Sequence, residues 1–78
     1  MIKELRKKID AIDRNILTLL NDRMKLSAEI GKIKRATSSQ IFVPVREKEI
    51  ISNILKFNND MIPNEALVEI YKEIMNAS

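Results

Sequence analysis

Arg6, Arg23, Lys34, Arg46 and Glu47 are the residues here whose type and place suggest chemistry. Arg23 breaks a hydrophobic seam: Leu5, Ile9, Ile12, Ile16 and Leu19 lead to it, and Leu26, Ile30 and Ile33 follow it. The steps of four and three are those of a helix with one apolar face, and a leucine would fit where Arg23 stands. A guanidinium facing a core costs several kcal/mol unless it is paired or given an anion. One account is a polar residue that fixes register, as a buried Asn does in coiled coils. The other is an anion site.

Lys34 is 11 residues on from Arg23. On one helix that is about 20° around and about 16 Å along, so two side chains of about 6 Å reach could hold opposite ends of one small anion. Ser27 lies between them on nearly the same face and leaves room. Alone, Lys34 would be read as a lysine favoured near a helix C-terminus by the dipole. Arg6 lies about 25 Å from Arg23 along the helix, too far to share a site within one chain. In an antiparallel pair of helices, Arg6 from a second copy would reach it. Glu47 stands three and four residues before Ile50 and Ile51, which turns its carboxylate toward the apolar side. Inward cations with one inward carboxylate suit a ligand carrying two carboxylates and a hydroxyl.

The elements that must position these residues are helical. The chain has 78 residues, one glycine and two prolines, too few turn signals for a sandwich or barrel. It holds no cysteine and no histidine, which removes disulfides, thiol nucleophiles, the usual zinc sites and histidine acid–base catalysis. No apolar run approaches the roughly 18 residues of a membrane span, and no signal-peptide pattern opens the chain. A net charge of +3 with interspersed acids, and Phe42, Phe57 and Tyr71 as the only aromatics, argues against a nucleic-acid surface. The expectation is a cytoplasmic, single all-α domain over 1–78, with no metal, cofactor or membrane partner.

Three helices are expected. The first runs from about Ile2 to Arg35, a loop covers Ala36 to Val43, and the second runs from Pro44 to about Phe57 with Ile50, Ile51, Ile54 and Leu55 inward. Asn58, Asn59 and Asp60 break the pattern, and Pro63-Asn64 start a third helix with Leu67, Ile70, Tyr71, Ile74 and Met75 as its stripe. A first helix of about 33 residues is about 50 Å long. A compact globule of this size has a radius of gyration of only about 11–12 Å. Its seam would stay wet unless a second copy covered it, so a homodimer is expected.

In Leu5-Arg6-Lys7-Lys8-Ile9-Asp10-Ala11-Ile12-Asp13, Asn21-Asp22-Arg23, Ile30-Gly31-Lys32-Ile33-Lys34 and Pro44-Val45-Arg46-Glu47, the sequence resembles the all-helical (type II) chorismate mutases. Ile70-Tyr71-Lys72-Glu73-Ile74-Met75 and Ser78 match the third-helix pattern. The ordered set, rather than any one piece, carries the resemblance. It implies an intertwined dimer of one long and two short helices per chain, rearranging chorismate to prephenate without a cofactor. By that pattern Arg23 and the partner's Arg6 bind the substrate carboxylates, Lys34 donates to the ether oxygen, and Glu47 accepts from the ring hydroxyl. Arg46 supports the site, and Ser78 touches a carboxylate.

Two departures stand out. Val43 occupies a place where many members carry Asp, which removes a helix cap. The sequence also stops at Ser78, before the Gln or Glu that members place one turn later as a second donor to the ether oxygen. The two ways to accommodate this are a longer natural chain fused to another aromatic-pathway domain, or activity carried at a reduced rate. Isochorismate pyruvate-lyase is the rival enzyme, with Glu47 favouring the mutase. A non-catalytic dimeric regulatory or docking domain is the rival of another class.

Overall fold

The structure, a computed structural model, describes residues 1–37, 43–59 and 61–78. Helix α1 covers Ile2–Thr37, α2 Val43–Phe57 and α3 Asn64–Ala77, and there is no strand among the described residues. The all-helical expectation therefore holds, with small shifts at the ends. Helix α1 runs two residues past Arg35, because Ala36 and Thr37 follow Lys34 and Arg35 without a breaker, and the two cations favour a helix C-terminus. Helix α2 begins at Val43, so Pro44 falls in its first turn, where a missing N–H costs nothing. The rest of the expected loop, Ser38, Ser39, Gln40, Ile41 and Phe42, lies outside the described residues, as does Asp60.

The chain divides into two compact units, Met1–Ile33 and Lys34–Ser78. The first is helix throughout after Met1, so it has no second layer against which to bury its stripe. Helix α1 holds no buried residue. Its seam residues stand open, from Ile16 at 48% to Leu19 at 66% exposed. Within α1, the half-buried residues between Leu20 and Lys34 are Leu20, Arg23, Ser27, Gly31 and Lys34, in steps of three and four. They follow one face, which meets the seam at Arg23 and otherwise runs beside it.

The second unit is built on the packing of α2 against α3. Leu67 at 8% exposed is its centre and the one buried side chain among the described residues. Ile50, Ile51, Ile54 and Leu55 of α2, and Tyr71, Ile74 and Met75 of α3, are half-buried, as their spacing predicts. Ile70, expected in the same stripe, is 48% exposed. Its position one residue off the Leu67–Tyr71–Ile74 row turns it away from α2.

The turn between α2 and α3 is fixed by hydrogen bonds. The Asn58 side-chain amide donates to the Ile62 carbonyl at 2.9 Å and to Asn64 Oδ1 at 2.8 Å. Pro63, with φ −58° and ψ 140°, precedes α3, and its carbonyl accepts the Leu67 N–H at 3.0 Å. A proline there presets φ while its carbonyl still serves the first turn.

Candidate active site

In the first unit, Arg6 lies in the second turn of α1 and is exposed. Arg23 is half-buried and engaged in polar interaction. A heptad pattern asks for an apolar side chain at Arg23, and the helix supplies instead a cation with part of its stem covered. Ser27 follows one turn later, also half-buried. Gly31 comes a turn after that, and its lack of a side chain leaves the helix surface clear there.

In the second unit, Lys34 is half-buried in the last turn of α1. Arg46 ends the first turn of α2 and Glu47 follows it in the second, both exposed. Arg46 Nη1 lies 3.8 Å from Glu49 Oε2, an open pair of little energetic weight that holds the guanidinium along the helix. No acid stands in the first turn of α2, which agrees with the absence of Asp at position 43. Ser78 caps α3: its N–H bonds the Met75 carbonyl at 3.2 Å and its hydroxyl donates to Ile74 O at 2.9 Å.

Glu47 lines a groove of about 560 Å³ between α2 and α3. Its floor is apolar, from Ile51, Leu55, Val68 and Met75, and its rim carries Lys48, Ser52 and Lys72 beside Glu47. Glu47, expected to turn to the apolar side, is exposed and stands among the residues that line this groove. The lysines of the rim were not singled out from the sequence. The signal for Lys72 was available: it is four residues after Val68 and three before Met75, a polar residue on an apolar row. Lys72 Nζ sits 3.7 Å from Glu69 Oε1, again as an exposed pair.

What each unit offers is charge and shape. The first supplies a cation at Arg23, and the second supplies cations at Lys34 and Arg46 and a carboxylate at Glu47. With no histidine or cysteine in the chain, none of them forms a nucleophile–base pair. Residues 5–78 match the family described as chorismate mutase type II. The chain belongs to this family.

Relatives agree. The chain is 51% identical over 80 residues to a bifunctional chorismate mutase/prephenate dehydratase of Aquifex aeolicus, covering 97% of this chain and 22% of that protein. It is 42% identical over 55 residues to a chorismate mutase of Methanocaldococcus jannaschii, covering 70% of this chain and 56% of that protein. A T-protein of Enterobacter agglomerans is 31% identical over 75 residues, covering 95% and 20% respectively. The chain thus spans about a fifth of the length of the relatives from Aquifex aeolicus and Enterobacter agglomerans.

Proposed function

We propose that this chain is a chorismate mutase, active as a homodimer that takes chorismate to prephenate. The observation that carries the proposal is the match of residues 5–78 to the type II family, a span that includes every residue named for the site. The reaction is an isomerisation. The ether C–O bond breaks as a C–C bond forms between the enolpyruvyl arm and the ring, and nothing is added or lost. Such a reaction asks a protein for conformational restraint and electrostatic stabilisation alone, the resources this chain has.

In this proposal Arg23 and Arg6 of a second copy hold the two carboxylates, with Ser78 touching one of them. The clamp keeps the enolpyruvyl arm over the ring, which removes an entropic part of the barrier. Lys34 donates to the ether oxygen. Charge builds there only as the bond stretches, so the contact favours the transition state over the substrate. Glu47 accepts the ring hydroxyl, and Arg46 supports the site.

The dimer is supported by the open seam. Leu5, Ile9, Ile12, Ile16, Leu26, Ile30 and Ile33 are each about half exposed or more, in a unit that is a single helix. A continuous apolar stripe of that kind marks an interface. Fusion to a prephenate dehydratase domain, as in the relative from Aquifex aeolicus, is compatible with how little of that protein this chain spans. The cytoplasm is the proposed place of action. No helix among the described residues is long and apolar enough to cross a membrane.

Incubating the purified chain with chorismate, while following its loss and the appearance of prephenate, tests the proposal. Prephenate formation supports it. Pyruvate release from isochorismate instead would turn the assignment to the lyase, and inertness toward both would leave a non-catalytic helical dimer.

A further inference from the structure

Within α1, Thr18 and Asn21 return to their own backbone, while Asn15, which is exposed, does not. Thr18 Oγ1 donates to the Arg14 carbonyl at 3.1 Å, and Asn21 Nδ2 to the Leu17 carbonyl at 2.9 Å. Ser78, at the end of α3, does the same with Ile74 at 2.9 Å. This back-bonding to residue i−4 is the ordinary fate of a hydroxyl in a helix. Ser27 differs. Its hydroxyl makes no hydrogen bond among the described residues, although the side chain is half-buried. Serine is also a poorer helix former than alanine, so the position costs α1 stability and recovers no hydrogen bond among the described residues. A local cost with no local return is what functional positions look like.

The neighbourhood says what the hydroxyl is for. Ser27 is four residues after Arg23, which places it directly above it on the same helix face. The two share the half-buried row, and Gly31, one turn further, leaves the surface beyond Ser27 clear. An anionic group held by the Arg23 guanidinium therefore lies within reach of a donor on the next turn. We infer that Ser27 is a substrate-binding residue, its hydroxyl donating to the carboxylate that Arg23 clamps. The inference rests on the chorismate mutase proposal and adds to it a neutral donor that fixes the rotation of that carboxylate. An arginine alone holds a carboxylate in its plane. A second donor from one side selects which rotamer of the attached arm is bound.

Ser27→Ala and Ser27→Leu test this with chorismate as the substrate. Alanine deletes the hydroxyl, leaves the room, and is the better helix former, so the thermal midpoint stays level or rises. A hydrogen bond to a charged group is lost, and the expected result is a roughly tenfold rise in KM with a smaller change in kcat. Ser27→Leu fills the space beside Arg23 and is expected to abolish saturation by chorismate while the protein remains folded and associated.

Alanine kinetics within twofold of the parent would overturn the inference. So would a Ser27→Ala variant that melts earlier or dissociates on dilution, since Ser27 would then serve the fold or the dimer. Normal turnover by Ser27→Leu would show that this face does not line the site. Absence of turnover in the parent chain is a different failure, that of the mutase proposal itself.

Discussion

At the scale of single residues, the chemistry proposed here depends on one lysine more than on any other group. Lys34 is half-buried in the last turn of α1, where a cation already suits the helix dipole. Its removal should leave the fold intact. Lys34→Ala is expected to lower kcat by about 10²–10³, the usual cost of one preorganised donor at a developing oxyanion. Near-normal turnover in that variant would remove Lys34 from the mechanism. Arg23 was legible from the sequence because it interrupts a periodic row, and Glu47 because it precedes two isoleucines at helical spacing. Ser27 was visible only as a small residue that leaves room. Its free hydroxyl could not be foreseen, since whether a helical serine bonds back to its own carbonyl is a matter of side-chain rotamer, which spacing does not set.

At the scale of elements, the helices follow from the period of their apolar residues, and the boundaries from breakers. Pro44 and Pro63 mark two starts correctly, while the end of α1 was set two residues early because nothing in Ala36 or Thr37 forces a stop. The less legible feature was the turn. Asn58 reads as a pattern breaker, yet it acts as a tie, joining the end of α2 to Ile62 and to Asn64 at the start of α3. Nothing in the local sequence announces a bond to a residue six positions away. Asn58→Ala should therefore destabilise the α2–α3 pair by about 1 kcal/mol. In a domain this small that amounts to a fall in melting temperature of about 4–8 °C, measurable by circular dichroism. An unchanged midpoint would show that Pro63 alone holds the turn. Because the groove that Glu47 lines is formed by α2 and α3 together, loosening this pair should also weaken chorismate turnover.

At the scale of the whole molecule, the fold described is short of an interior. Among the described residues Leu67 alone is buried, while the α1 seam, the largest apolar surface in the sequence pattern, stays open. A homodimer would supply the missing layer. Its stability would then follow mass action, with a thermal midpoint that climbs with protein concentration. A midpoint constant over a hundredfold dilution would argue for a monomer and against Arg6 of a second copy in the site. The seam could be read from heptad spacing. The partner that covers it could not, because periodicity shows that a face must be buried and is silent about what buries it.

One consequence of α1 having no buried residue concerns the route by which the chain reaches its working form. A helix of this kind is marginal alone, so its ordering and the meeting of two chains become one event rather than two. Recovery from denaturation would then be second order, fast in a crowded solution and slow in a dilute one. A stretch of chain such as the dehydratase part of the relative from Aquifex aeolicus would change that rate wherever it raised the local concentration of a second α1.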